Sequence, residues 1–153
     1  MPQGNTVRLH RVLATKPEKV FRAFLDAEAM AKWLPPYGFT CKVHHLDARV
    51  GGTFRMSFTN FTTNSGHSFG GEYLEIVPDR KIVFTNGFEL PGAEKMIMTV
   101  TFDEQGGRTL LTIRTLFASI AQKATHVGAG MEEGIASGLD QLTEVVAALK
   151  AAA

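Results

Sequence analysis

Asp47-Ala48-Arg49-Val50-Gly51-Gly52-Thr53-Phe54-Arg55-Met56-Ser57-Phe58 is the stretch on which the fold turns. Gly51-Gly52 forms a corner between two strand-like runs. Beyond it Phe54, Met56 and Phe58 alternate with Arg55, Ser57 and Thr59. A period of two with large soft groups on one side predicts a half-buried strand. The residues after the glycines carry no helical pattern, so the pair is a corner or bulge and not a phosphate-binding loop.

The same alternation recurs downstream. Thr62-Thr63-Asn64-Ser65-Gly66 is a polar turn, His67 to Val77 a strand, and Pro78-Asp79-Arg80 a turn into a strand from Lys81 to Phe88. Pro91-Gly92 signals a loop. Met96, Met98, Val100 and Phe102 share one face of the next strand, Asp103 to Gly107 make a hairpin turn, and Leu111, Ile113, Thr115 and Phe117 line the last strand. Upstream, Thr40 to Leu46 and Val7 to Leu13 also read as strands. Between them lie two short helices. The first has Thr15 as N-cap with Glu18 three residues on; the second starts at Asp26, runs through Met30 and Trp33, and stops at Pro35-Pro36. Ala118 to Gly130 is loosely patterned. Met131, Ile135, Leu139, Leu142, Val146 and Leu149 then mark one face of a long closing helix, weakened by Gly134 and Gly138 at about 1 kcal/mol each. Those glycines imply close backbone approach or reserved space.

This order predicts an α+β fold: a curved antiparallel sheet wrapped around a long C-terminal helix, with two short helices after the first strand. The 153 residues suit one domain, 1–153. Sixteen Lys and Arg against 15 Asp and Glu leave +1, too weak and too scattered a field for nucleic acid. No apolar run is long enough for a membrane span. Met1 to Asn5 lack signal-peptide character, and the lone Cys41 suits a reducing compartment, so a cytoplasmic protein is expected. Edge strands, the first included, leave a homodimer possible.

Pro17-x-x-Val20-Phe21-x-Ala23-Phe24-x-Asp26, Trp33 and Asp47-x-Arg49-x-Gly51-Gly52 resemble the activator of heat shock protein 90 ATPase-like family. So do Gly71-x-Tyr73-x-Glu75-Ile76-x-Pro78, Gly106-Gly107-x-Thr109, and Gly130-Met131 with Leu139-Asp140-x-Leu142. The resemblance runs from about Thr6 to Leu149 and implies the helix-grip fold of the START-like (SRPBCC) superfamily. That superfamily hosts lipid carriers, cyclases and aromatases, so the fold does not select an activity. Two positions depart from the pattern: Ile135 stands where similar sequences commonly carry Trp, and Asn86 where they often carry an aromatic residue.

Eleven Phe and six Met supply apolar area without polar atoms to satisfy. The expected wall of a cavity between sheet and helix is Phe54, Met56, Phe58, Tyr73, Phe84, Met98 and Phe102, with Met131, Ile135 and Leu139 on the helix side. Trp33 closes the mouth or staples the short helices to the sheet. Tyr73, Asn86 and Glu75 are the candidates to orient a ligand. Glu75 shares strand parity with Tyr73 and would need Arg49 or Arg114 as partner. His44-His45 is no metal pair if neighbouring strand residues face opposite ways, and no further ligands lie close. His67 near its turn is expected to be solvent-facing, with Glu72 or Glu75 across strands as its candidate acid-base partners. Cys41 reads as a buried inert thiol, and Ser119 and Ser137 lack a nucleophile-elbow context. No catalytic residues, metal or cofactor are expected. The leading expectation is binding of a small hydrophobic molecule. The alternatives are a chaperone-linked interaction domain and a cyclase- or hydrolase-type enzyme acting on an apolar substrate.

Overall fold

The computed structural model describes residues 4–89 and 93–152, without the side chains of 149–152. The loop expected at Pro91-Gly92 and the Leu149 side chain lie outside the described residues. The chain forms β1 (Thr6–Leu13), α1 (Pro17–Ala23), α2 (Ala27–Trp33), β2 (Phe39–Leu46), β3 (Thr53–Asn60), β4 (Gly66–Val77), β5 (Lys81–Phe88), β6 (Met96–Gln105), β7 (Arg108–Leu116), α3 (Ile120–Gly128) and α4 (Met131–Ala152). The strands make one curved antiparallel sheet in the order β1-β7-β6-β5-β4-β3-β2. Consecutive hairpins account for every neighbour except β1–β7, where the first strand closes onto the last. β1 and β2 are its edges.

Local chemistry explains most boundaries. Asp26 Oδ1 accepts from Glu28 N (2.9 Å) and Ala29 N (3.3 Å), capping α2. The cap expected at Thr15 does not form. Lys16 takes the N-cap position of α1 without a side-chain bond, Pro17 supplies the preset φ, and the buried Thr15 carbonyl accepts from Thr109 Oγ1 at 2.7 Å. Gly106 and Gly107, at φ of 61° and 85°, make the two-residue β6–β7 turn, a conformation that only glycine adopts freely at both positions. The segment read as loosely patterned contains α3, capped by Ser119 Oγ accepting from Gln122 N at 3.0 Å. None of its residues is fully buried, which is why its apolar pattern is faint.

The core follows the predicted parity. Phe54 and Met56 are buried, as are Met96, Val100 and Phe102 of β6 and Leu111, Ile113, Thr115 and Phe117 beyond it. α4 sets Leu139, Leu142 and Val146 against them. Gly138 allows α4 to lie on the end of α2, since a Cβ there would stand 3.1 Å from Leu34 O and 3.2 Å from Trp33 O. Gln141 Nε2 donates to Trp33 O (3.1 Å) and Pro35 O (2.6 Å), fixing the same crossing. Gly134, by contrast, faces open space.

Candidate functional site

Strand register divides the concave interior into a sealed end and a more open one. At the sealed end Phe21 of α1 and its C-cap Phe24 meet Phe102 edge-on, with ring centroids 5.5 and 5.4 Å apart. Trp33 is buried, lies 4.6 Å from the Phe24 ring, and donates its indole N–H to Ala23 O at 2.9 Å. It therefore staples α2 to α1 and does not close a mouth. Phe102 and Leu139 of the expected wall are likewise packed core, and Met56, which the register sets beside Phe69 toward the other end, is buried as well.

Further along, Phe54, Tyr73 and Phe84 form a cluster with centroids 5.5 to 6.1 Å apart. Burial pushes the Tyr73 phenol up to about 12. Beyond Phe84 the concave face of β5 continues as Asn86 and Phe88. Phe58, Phe84, Asn86, Phe88, Met98, Met131 and Ile135 all stay partly exposed, unlike their counterparts at the sealed end. Met131, with Val127 of α3, packs on the small cluster of Val7, Met96 and Phe117.

Asn86 lies between the Gly70–Gly87 and Tyr73–Phe84 rungs of the β4–β5 ladder and pairs across with Met96 on β6. Gly71 on the adjoining strand presents no side chain there; a Cβ would meet Thr85 O at 1.7 Å, so the backbones approach too closely for any other residue. Asn86 Nδ2 donates a weak bond to Met98 Sδ at 3.8 Å, and its Oδ1 is buried without a hydrogen-bond partner among the described residues.

Sequence parity misplaces three residues. A bulge between Tyr73 and Glu75 breaks the alternation. Glu75 is exposed, away from the interior, and pairs with Lys81 Nζ at 3.3 Å instead of an arginine. Arg49 instead donates to Asp47 Oδ2 at 2.7 Å, within the corner itself. A second bulge, between Val43 and His45, leaves both His44 and His45 exposed. Their Nε2 atoms lie 2.6 Å from Ser57 Oγ and 3.0 Å from Thr53 Oγ1 respectively, two side chains of one strand face. The opposite-faces premise therefore fails, although no group of three potential metal ligands occurs among the described residues.

His67 departs furthest from expectation. It shares the inner face of β4 with Phe69 and sits among Phe39, Phe58, Phe69 and Phe88, with ring centroids 5.1 to 6.4 Å away. Burial lowers its pKa, favouring the neutral imidazole. His126 of α3 stacks on Phe88 at 5.4 Å and 13°, and it too is held below the ordinary histidine range by burial. Phe69, Phe88, His67 and His126 were missed as lining residues. Phe69 and Phe88 were visible in the alternation of β4 and β5; the histidines gave no signal, because a turn-proximal imidazole reads as solvent-facing. Cys41 is partly buried, and burial raises its thiol to about 11, in line with an inert group.

Two clefts open elsewhere. One of about 930 Å³ is lined by charged groups including Lys16, Glu18, Glu75, Asp79, Lys81 and Asp103 near the start of α1. Another of about 370 Å³ runs past Ser57, Thr59, His67, Ser68 and Glu89. Of the apolar residues expected to form the cavity, Phe102 alone borders the first cleft and none borders the second.

A seven-stranded antiparallel sheet curled about a closing helix, with two short helices after the first strand, defines a helix-grip domain of the START-like type. The chain belongs to the Activator of Hsp90 ATPase homolog 1-like protein family, whose model matches residues 14–147. A solved protein of Chromobacterium violaceum is 42% identical, with 92% of this chain and 96% of that one covered and a TM-score of 0.81. Proteins of Nitrosomonas europaea (22% identity, 99% of both chains, TM-score 0.85) and Rhodobacter sphaeroides (16%, 97% of both, 0.88) share the fold. None of the curated proteins matches the chain. No helix among the described residues is long and apolar enough to cross a membrane.

Proposed function

We propose that the protein binds a small, largely apolar molecule at the open end of its grip, between β5, β6 and the first turns of α4. The observation that carries this reading is the contrast along one concave face. Phe102 and Leu139 are shut in at one end, whereas Phe58, Phe84, Phe88, Met98, Met131 and Ile135 keep solvent contact toward the other, around the buried Met56 and Met96. Large apolar groups left partly open on a concave surface are what a ligand covers, each fully buried side chain of this size being worth about 1.5–3 kcal/mol. α3, which buries none of its residues completely, borders this end through His126 on Phe88 and Val127 beside Met131.

Fluorescence titration with 1-anilinonaphthalene-8-sulfonate, followed by displacement with naphthalene derivatives, tests this reading. Met98→Ala and Phe84→Ala are expected to weaken probe binding severalfold, and Ile97→Ala, on the outer face, to leave it unchanged. Equal affinities in all four proteins overturn the assignment.

A chaperone-linked interaction role is favoured by a separate observation. Tyr37 and Phe61 are 64% and 66% exposed on adjacent loops joined by the Phe61 N–H to Gly38 O bond at 3.2 Å. Paired exposed aromatics suit a protein partner. Loss of chaperone capture in a Tyr37→Ser, Phe61→Ser variant that still binds the dye supports this reading; unchanged capture overturns it.

A further inference from the structure

The ligand reading leaves the polar character of the ligand open, and Asn86 narrows it. We propose that the bound molecule is a neutral amphiphile whose hydroxyl or amide N–H donates a hydrogen bond to Asn86 Oδ1. This rests on the ligand reading above. Asn86 is a polar residue on the inner face of β5, flanked along the strand by Phe84 and Phe88 and across it by Met96. Its Oδ1 is removed from solvent and lacks a partner among the described residues, while Nδ2 is engaged there with the soft sulfur of Met98. A buried amide oxygen accepts and cannot donate, so the complementary group is an O–H or N–H. The apolar part of the same molecule then lies along Phe84, Met98 and Ile135.

The surroundings favour a neutral group. Arg55 is paired with Glu89 (2.7 and 3.0 Å), Arg11 with Asp140 (2.7 Å) and Lys81 with Glu75 (3.3 Å), and in each pair the side chains are partly exposed. A carboxylate at Asn86 would face the negative end of the amide dipole without a cation. An ammonium would be desolvated without a carboxylate. The titratable groups packed on this face are His67, Tyr73, Cys41 and His126, and burial favours the neutral form of each.

Matched probes decide the point by isothermal titration calorimetry at pH 7. 2-Naphthol carries a donor, 2-methoxynaphthalene only an acceptor, and 2-naphthoate a charge on the same ring system. The wild-type protein is expected to prefer 2-naphthol about tenfold over both others, and Asn86→Leu to abolish that preference while retaining 2-methoxynaphthalene. Equal or tighter binding of 2-methoxynaphthalene by the wild type overturns the donor assignment and leaves the ligand reading standing. Failure of all three probes to bind overturns both. The wild-type comparison is decisive even if Asn86→Leu does not fold.

Discussion

Gly134 and Gly138 lie one helical turn apart on α4, and the same substitution should act on them with opposite sign. In a helix, Ala is favoured over Gly by about 1 kcal/mol, because Gly surrenders more backbone freedom. At Gly134 nothing lies within 4 Å of the added methyl, so Gly134→Ala should stabilise by about 0.5–1 kcal/mol, the lower part of the range because the site is in the first turn. At Gly138 the methyl would stand 3.1 and 3.2 Å from two α2 carbonyl oxygens, Leu34 O and Trp33 O. Backbone oxygens yield only if α2 moves, and Trp33 O is also tied to Gln141 Nε2. Overpacking costs about 1–3 kcal/mol, which offsets or exceeds the propensity gain and leaves Gly138→Ala destabilised by up to about 2 kcal/mol. The two variants should differ by about 0.5–3 kcal/mol, and for a chain of this size 1 kcal/mol moves Tm by about 2–4 °C. Urea unfolding followed by circular dichroism at 222 nm measures both. Equal stabilisation of the two variants would refute the claim that Gly138 is kept for close approach of α2.

Asp26→Ala removes the α2 cap and should cost about 1 kcal/mol in the same unfolding assay, whereas Thr15→Ser, which retains the carbonyl that Thr109 uses, should cost less. Met56→Ala, at a fully buried site, should destabilise by about 2–5 kcal/mol; Met98→Ala should cost less stability and more dye binding. Burial holds the Cys41 thiol at about 11, so a disulfide reagent at pH 8 should react roughly two orders of magnitude slower than with a free thiol of pKa about 8.5, and the native rate should rise to the free-thiol rate in urea. His67 and His126 are held below the unfolded histidine value of about 6.5, so the unfolded chain binds more protons as pH falls below that value. Stability should be fully present above pH 6.5 and decline on acidification through the folded pKa values. A His67→Phe, His126→Phe variant should flatten that slope in urea titrations at pH 7 and pH 5.5.

The sequence carried the fold because its signals were local and periodic. Phe54, Met56 and Phe58 alternate against Arg55, Ser57 and Thr59, and strand β3 follows with the first two side chains buried. Asp26, Pro35-Pro36 and Gly106-Gly107 mark ends and turns by conformational chemistry that tertiary structure did not override. α3 escaped because it covers the sheet at one end and never buries a full stripe.

Parity arguments fail wherever a strand gains one residue, and here that happens twice. The bulge after Tyr73 carries Glu75 out to Lys81, and the bulge at His44 leaves both imidazoles in solvent. A bulge costs a single residue of register yet flips the side chains beyond it, so a site inferred from alternation is secure only up to the first irregularity. Asn86 shares the inner face with Phe84 because β5 runs unbroken against β6 from Lys81 to Asn86. Its buried, unpartnered Oδ1 depends on what Gly71 withholds and what Met98 offers. Those are relations between strands, beyond the reach of any single-strand period. The polar half of the site is therefore a property of the assembled sheet, while the apolar half can be read strand by strand.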